Sequence, residues 1–489
     1  MKLKKLIKDI PFKEIKGSKD IEITGLSVNS KLVAPGHLFV AKKGHNDDGT
    51  KYIPEAIQGG AVAIVTDLFD PSLNITQLID TDVANKESEL ALHFYQFPSK
   101  ELNVIGITGT NGKTTTSFLI KYLLDKVGEP AGLIGTIEYI IGNLRFSATR
   151  TTPDVISNHK MLRDMITHGC KSAVMEVTSH ALDQNRVEGI DFDVAVFTNL
   201  TWEHLDYHGS MEEYADAKAK LFQGLKPEAY ACVNSDSPYA QKMLEKCKAK
   251  VIRFGLFSDA DLKAQDINLT ETGTSFNLLY QGKSYPVQIP HVGRFNIYNV
   301  MAALAALLAS GYKLETLLPL LKNAPTVKGR IEPVPNPLNL KIFVDFAHKE
   351  DALVNVLECL SEFKKGRIIT VFGCGGDRDK GKRPKMAASA EQFSDIVIVT
   401  NDNPRSEEPE EIAREVTKGF KKNTYLIELD RRAAIKKAVE LCTPDDIILI
   451  AGKGHETYQI FQHKTCEFDD CKVALEVVLE LMEDKLVKV

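Results

Sequence analysis

The stretch NVIGITGTNGKTTTSFLI, residues 103–120, writes a strand, a glycine turn and the start of a helix in that order. Asn103 to Ile107 is an apolar, β-branched run of strand length. Thr115 to Val127 reads as a helix with Phe118, Leu119, Tyr122 and Leu123 on one face. Between them lie Gly109 and Gly112, where backbone N–H groups can approach an anion at a helix N-terminus. A Walker A loop has the form G-x-x-x-x-G-K-[ST], but counting back from Gly112-Lys113 puts Ile107 at the first glycine position. The loop is shorter: Gly109-Thr110-Asn111-Gly112-Lys113-Thr114-Thr115. Lys113 can still reach β- and γ-phosphates, and a Thr114 or Thr115 hydroxyl can meet Mg²⁺. The stretch therefore predicts an ATP site at the end of a parallel strand.

Working outward, the chain has 489 residues, too many for one ordinary core, so two to four domains are expected. Hydrophobic content of 43% with 26% charged residues describes a globular protein, and a net charge of −5 leaves no basic footprint for nucleic acid. No apolar run is long enough to span a membrane, and the basic start MKLKKLIKDIPFKEIKG lacks an apolar core. Eight cysteines without any C-x-x-C pair fit a reduced cytoplasmic protein better than a disulfide scaffold or zinc site.

Three blocks follow along the chain. Residues 1–100 hold short strand-like runs (Leu38 to Ala41, Ala61 to Thr66) among many Gly, Asn, Asp and Pro. From 101 to 331 strands alternate with helices: Val104 to Ile107, Ser172 to Val177, Val194 to Thr198 and the alanine-rich helix Tyr298 to Ser310. From 332 to 489 the alternation restarts, with Ile342 to Asp345, Ile368 to Phe372, Ile396 to Thr400 and Ile447 to Ile450. Such alternation implies parallel sheets with covered faces. Phe97-Pro98-Ser99 and the proline-rich run 333–337 are the expected joints. The fold class is α/β, in three domains.

The central block also offers Glu176 at the end of a strand, where open α/β sheets place ligand-contacting groups, and His204 a few residues beyond another strand. A hard carboxylate and an imidazole beside an ATP loop suit magnesium. Lys218, by contrast, reads on its own as an exposed residue of an acidic helix.

Ten motifs, in order, are similar to those of the Mur ligases of peptidoglycan synthesis. They are GITGTNGKTT (106–115), MEVTSHALDQNRV (175–187), TNLTWEHLDYHG (198–209), YADAKAKLF (214–222) and GRFNIYNVMAA (293–303), then KGRIE (328–332), DFAH (345–348), VFGCGGDRDKGKRP (371–384), TNDNPRSEEP (400–409) and AGKGHETYQ (451–459). The resemblance runs from about Ser30 to Tyr458, and this family uses the shorter phosphate loop. It implies an N-terminal UDP-binding domain, a central P-loop ATPase-like domain and a C-terminal Rossmann-like domain. It also implies an amide-forming reaction driven by ATP and Mg²⁺, through an acyl phosphate on UDP-N-acetylmuramoyl-L-alanyl-D-glutamate.

Carried over by position, the family pattern puts Gly109 to Thr115 on the phosphates, with Thr114 and Glu176 on one magnesium. Lys218 takes the place of a carbamylated lysine, joining Glu176 and His204 around a second. Asn296 and Asn299 fall near adenine, and Arg330 and Asp345 on the nucleotide. Val28, Ser30, His45, Asn46 and Asp47 match the uridine-diphosphate end, and Thr151, Thr152, Thr178, Gln184 and Arg186 the sugar-peptide. Three departures stand out: Thr178 for a usual serine, Trp202-Glu203 for a common Arg-Asp, and Lys349-Glu350 for a usual Thr-Pro. Asp402-Asn403-Pro404-Arg405 is the form found where meso-diaminopimelate is added. Diaminopimelate differs from lysine by a second carboxylate, which a guanidinium grips bidentately. Arg405 and Arg378 are the candidates for its carboxylates, Asp402 and Glu456 for an ammonium, with Asn403, Pro404 and Gly452 alongside. L-Lysine and a folylpolyglutamate synthase-like activity are the alternatives. A monomer without nucleic-acid partner or membrane insertion is expected.

Overall fold

The computed structural model describes residues 1–43, 48–422 and 425–487. Two compact units emerge: residues 1–254 with 302–314, and residues 255–301 with 315–489.

In the first unit, Asn103–Thr108 lies inside a parallel sheet. Ser172–Glu176 and then Ala131–Ile134 flank it on one side, and Val194–Phe197, Tyr230–Asn234 and Lys250–Gly255 on the other. The register pairs Glu176 with Ile107 and Phe197 with Thr108, so three strand ends finish level. Chain order reverses across this central strand, and open α/β sheets bind ligands at that switch point. An antiparallel hairpin, Glu138–Ile141 and Leu144–Ser147, extends one edge. Lys113–Lys126 is helical and buries Leu119, Ile120, Leu123 and Leu124, whereas Phe118 and Tyr122 are only half-buried. The buried face is thus rotated from the expected one, because the helix also packs on Ala131–Ile134 and Ser172–Glu176.

The same unit carries the N-terminal sheet, ordered Glu14–Lys16, Thr76–Ile79, Ala63–Thr66, His37–Val40 and Gly25–Ser27. All its pairs are parallel except the first. Its core takes in Leu38, Val65 and Leu90 and reaches Val155 and Ile156 of the helix Val155–Thr167.

The second unit holds an antiparallel meander, Leu262–Thr270, Gly273–Tyr280 and Lys283–Ile289. Its main sheet is ordered Glu332–Pro333, Lys341–Asp345, Ile447–Ala451, Ile368–Phe372, Ile396–Val399 and Tyr425–Ile427. All pairs but the first are parallel. Continuous Val/Ile runs such as Ile396–Val399 are what a sheet covered on both faces requires. Among the described residues, no helix is long and apolar enough to cross a membrane.

Candidate active site

The glycine loop, residues 109–115, is built by close contact with the neighbouring strand end. Gly109 has φ +151°, and a Cβ there would stand 1.9 Å from Thr198 Oγ1. The Thr198 hydroxyl donates to the Asn111 carbonyl at 2.6 Å, and Asn199 both accepts from Asn111 N–H and donates to its carbonyl. Thr110 N–H donates to the Asn199 carbonyl at 2.9 Å. Lys113 Nζ folds over this loop, donating to the carbonyls of Gly109 (2.7 Å) and Thr110 (2.8 Å). The helix opens at Lys113, so Thr114 and Thr115 lie in its first turn.

Glu176, fully buried at its strand end, accepts from Thr114 Oγ1, Thr136 Oγ1 and Thr136 N–H, each at 2.9 Å. Thr136 also meets Thr151 Oγ1 at 3.2 Å. Thr152 Oγ1 donates to the Glu176 carbonyl at 2.8 Å and lies 3.3 Å from Thr178 Oγ1. Arg186 donates to the Thr152 carbonyl and to Gln184 Oε1, while Gln184 Nε2 donates to Tyr207 Oη. The residues expected on the sugar-peptide thus form one hydrogen-bonded patch joined to the carboxylate expected on magnesium. Thr178 also caps the helix Ser179–Asp183 through its hydroxyl, work a serine does equally.

Lys218 corrects the reading from sequence. It is 1% exposed, not a solvated surface residue, because the helix Met211–Gln223 turns this side chain onto the sheet. Its Nζ donates to the Gly109 carbonyl at 3.0 Å and sits 4.7 Å from the Tyr214 ring centre. Burial, reinforced by Lys113, pushes its ammonium well below the usual lysine range, with Glu203 opposing. A lysine whose charged form is disfavoured by burial is a better nucleophile than a solvated one.

His204 is held in the left-handed region at φ +58°. Its ring packs edge-on to His180 and Tyr214, with Nε2 3.6 Å from Glu203 Oε1. His204 and Lys218 therefore share Tyr214, while Thr114 and Glu176 form a separate direct pair. Hard oxygens with one imidazole suit magnesium. Among the described residues no three His, Cys, Asp or Glu side chains converge, so any such site relies on the threonine and the lysine as well. Thr136, Thr198, Asn199 and Tyr214 escaped the sequence reading. Only their positions just past strand ends, or one helical turn before Lys218, marked them.

In the N-terminal sheet domain, the Ser30 hydroxyl donates to Glu55, and Val28 packs against the core. His45, Asn46 and Asp47 lie outside the described residues.

In the second unit, Asn296 Nδ2 donates to the Val292 carbonyl and Asn299 Nδ2 to Asn296 Oδ1. Both asparagines are nearly inaccessible. Asp345 accepts from the N–H groups of Ile331 (2.8 Å) and Ala347 (2.7 Å). Burial lifts its carboxyl to about 6, against the pull of Arg330 and those two donors. The Arg330 guanidinium lies 5.4 Å from the centre of the Phe346 ring. His348 and His455 flank that ring, both pushed down to about 4 by burial and thus neutral.

The candidate amino-acid residues gather at the carboxyl ends of Ile368–Phe372, Ile396–Val399 and Ile447–Ala451. Arg405 Nη1 donates to the Gly376 carbonyl at 2.9 Å, and Arg378 is exposed. Asn403 is almost fully buried: Nδ2 donates to Glu456 Oε2 at 2.9 Å, and Oδ1 accepts from Lys453 Nζ and Ile460 N–H. Pro404 is buried, and a Cβ on Gly452 would stand 2.6 Å from Asp402 Oδ2. Lys453, fully buried and 3.3 Å from Glu456, is a residue the sequence reading passed over.

Three family descriptions match the chain: "Mur ligase family, catalytic domain" over residues 22–93, "Mur ligase middle domain" over 107–307, and "Mur ligase, glutamate ligase domain" over 329–454. The chain is 43% identical over 484 residues to the UDP-N-acetylmuramoyl-L-alanyl-D-glutamate--2,6-diaminopimelate ligase of Chlamydia caviae, covering 98% of this chain and 99% of that one. It is 40% identical over 483 residues to the same-named protein of Caldanaerobacter subterraneus, with equal coverage. A solved structure of a UDP-N-acetylmuramoyl-L-alanyl-D-glutamate--2,6-diaminopimelate ligase superposes with TM-score 0.72 at 31% identity, over 99% of both chains. The folylpolyglutamate synthase of Mycobacterium tuberculosis, complexed with ADP, shares the fold at TM-score 0.61 and 20% identity, over 75% of this chain and 91% of that one. With a glycine loop gripped by Thr198 and Asn199, a buried carboxylate on Thr114 and three matching domains in order, this chain belongs to the Mur ligase family.

Proposed function

We propose that this chain is the ATP-dependent, ADP-forming ligase that joins meso-diaminopimelate to the D-glutamate side chain of UDP-N-acetylmuramoyl-L-alanyl-D-glutamate in cytoplasmic peptidoglycan precursor synthesis. The observation that carries the reading is Lys218, buried and held 3.0 Å from the phosphate-loop carbonyl of Gly109. A surface lysine has no reason to be there; an amine poised to become a carbamate does. Carbon dioxide adds to the neutral Nζ, an N–C bond forms and one proton leaves, so a donor becomes an anionic oxygen ligand.

The substrate carboxylate is a poor electrophile with a poor leaving group. Its attack on the γ-phosphate releases ADP and leaves an acyl phosphate. The incoming amine then adds to that carbonyl, and phosphate departs from the tetrahedral intermediate. The residues act by positioning and charge neutralisation. Gly109 to Thr115 present N–H groups to the phosphates. Lys113, held on two carbonyls of its own loop, turns its ammonium onto the β/γ oxygens. Thr151, Thr152, Thr178, Gln184 and Arg186 hold the sugar-peptide, and Val28, Ser30 and the segment His45 to Asp47 the uridine-diphosphate end. Asn296, Asn299, Arg330 and Asp345 serve the nucleotide. Thr114 and Glu176 would hold one magnesium, and Glu176, His204 and carbamylated Lys218 a second. Bound there, magnesium neutralises charge on the phosphate oxygens.

Arg378, Asp402, Asn403, Pro404, Arg405, Gly452 and Glu456 take diaminopimelate. Lysine in this place leaves a guanidinium without its anion, a penalty of about 1–3 kcal/mol. The functional segments are 1–100, 101–331 and 332–489, acting in a monomer. The test offers both amino acids in competition, with ATP and the UDP-dipeptide, and weighs the product by mass. Diaminopimelate product with ADP release that requires the UDP-dipeptide is expected. Lysine product reassigns the amino acid, and ADP release without the dipeptide overturns the reading.

A further inference from the structure

Beneath the two loops that carry Arg378 and Arg405 lies a third arginine, with a fully buried side chain. Arg383 stands in the first turn of the helix Lys382–Phe393, its side chain 0% exposed. Nη1 donates to Glu407 Oε2 at 2.9 Å and to Glu415 Oε2 at 2.6 Å. Nη2 donates to Glu407 Oε1 at 3.0 Å and to the Gly375 carbonyl at 3.1 Å. One guanidinium thus joins the loop after Ile368–Phe372, which carries Arg378, to the loop after Ile396–Val399, which carries Arg405, and to the helix Pro409–Thr417 that follows it.

The loops are locked to one another above it. Gly376 N–H donates to the Asn403 carbonyl at 2.9 Å. Asp377 N–H donates to Glu407 Oε1 at 2.7 Å, and the Ser406 hydroxyl donates to Asp377 Oδ1 at 2.5 Å. No side chain fits between them: a Cβ on Gly376 would stand 1.8 Å from the Pro404 carbonyl oxygen. A Cβ on Gly375 would stand 2.9 Å from Arg405 Nη1 and 3.6 Å from Arg378 Cγ, so both arginines border the same glycine. Arg383 reaches the underside of that glycine through its carbonyl. A planar fork with fixed donor directions sets a distance between partners, which a flexible ammonium does not. A buried charge with this many partners is also costly to disturb, so the spacing it imposes is stiff.

We infer that Arg383 is a positioning residue for amino-acid choice: by bridging Gly375 to Glu407 it sets the separation of Arg378 and Arg405, and so whether both ends of a diamino dicarboxylic acid are gripped together. This rests on the reading that those two arginines bind diaminopimelate. Arg383 itself touches no ligand.

The test uses the full chain with Arg383→Lys, Glu407→Gln and the pair combined. Each variant is compared with the parent in KM for ATP, UDP-dipeptide, diaminopimelate and lysine. Since an ångström of misplacement costs up to about a hundredfold, Arg383→Lys should raise the diaminopimelate KM about ten- to a hundredfold. The other KM values and kcat should stay within about threefold, and preference over lysine should fall in step. Glu407→Gln should do the same more weakly, and the pair should be less than additive. If Arg383→Lys does not fold, Glu407→Gln carries the test alone. Equal loss for both amino acids, or loss in kcat with preference intact, overturns the proposal. Arg405→Ala separates the two claims. If it leaves the diaminopimelate KM unchanged, the underlying assignment has failed; if it raises that KM while Arg383→Lys and Glu407→Gln do not, only the positioning role has.

Discussion

Lys218 is a side chain whose surroundings contradict its local sequence. It lies in an acidic, lysine-bearing helix, yet its Nζ is buried beside Gly109 and the Tyr214 ring. If its carbamate is a ligand, Lys218→Ala should lower turnover by about a hundredfold or more, in the range seen when one charge-stabilising group is removed. Binding of an ATP analogue should persist, and added short carboxylates should restore part of the rate. Carbon-13 resonance after ¹³CO₂ labelling should show a carbamate carbon that the variant lacks; full activity in the alanine variant would refute the role. Asp345 makes a second prediction at this scale. Its folded value of about 6 lies above the ordinary carboxylate value, so the folded state binds the proton more tightly. The sign follows: Asp345 costs nothing below about pH 4, costs progressively more as pH rises to 6, and is constant above. Urea unfolding from pH 4 to 7 should show this loss with rising pH, and Asp345→Asn should flatten it. An unchanged profile in the variant would assign the slope elsewhere.

At the scale of the element, the strand–loop–helix from Asn103 to Lys126 is legible in the amino-acid sequence because its signals are local: a β-branched run, two glycines and Lys-Thr at a helix start. What holds the loop is not legible there. Thr198 and Asn199 reach it from a strand about ninety residues away, a juxtaposition created by the order of strands in the sheet. Gly109→Ala should therefore do more than strain a φ of +151°, since its methyl would collide with Thr198. Nucleotide binding by calorimetry should be lost while circular dichroism keeps its α/β signature. Retained binding would mean the loop relaxes around the methyl group. Along the helix 113–126, the expected apolar face is off by about one position. Periodicity reports that a helix has a buried side, but the strands it packs against choose which side.

Over the whole molecule, each unit has its own hydrophobic cores, so thermal unfolding is not expected to be one two-state step. The second unit contains a fully buried ion pair, Arg431 with Asp470, in which Nε and Nη2 each donate to a carboxylate oxygen at 2.7 Å. Arg431 also donates to the carbonyls of Asn401 and Ala451, which precede Asp402 and Gly452. Asp470→Asn leaves that guanidinium buried without its counter-charge, a loss of about 3–5 kcal/mol. In scanning calorimetry one transition should fall by roughly 10 °C and the other should hold. Both falling together would show that the units unfold as one.

The sequence by itself determined the α/β class, the strand–glycine loop–helix at 103–126, the order of the motifs and the residue types available for chemistry. Each of these is written within a few dozen neighbouring residues, where backbone geometry and periodicity act. Only the tertiary structure decided that Lys218 is buried, that Thr136 ties Glu176 to Thr151, and that Arg383 stands under two loops some thirty residues apart. Those facts depend on which strands lie side by side. A parallel sheet brings the carboxyl ends of distant strands to one edge, and no local pattern encodes which distant groups will meet there.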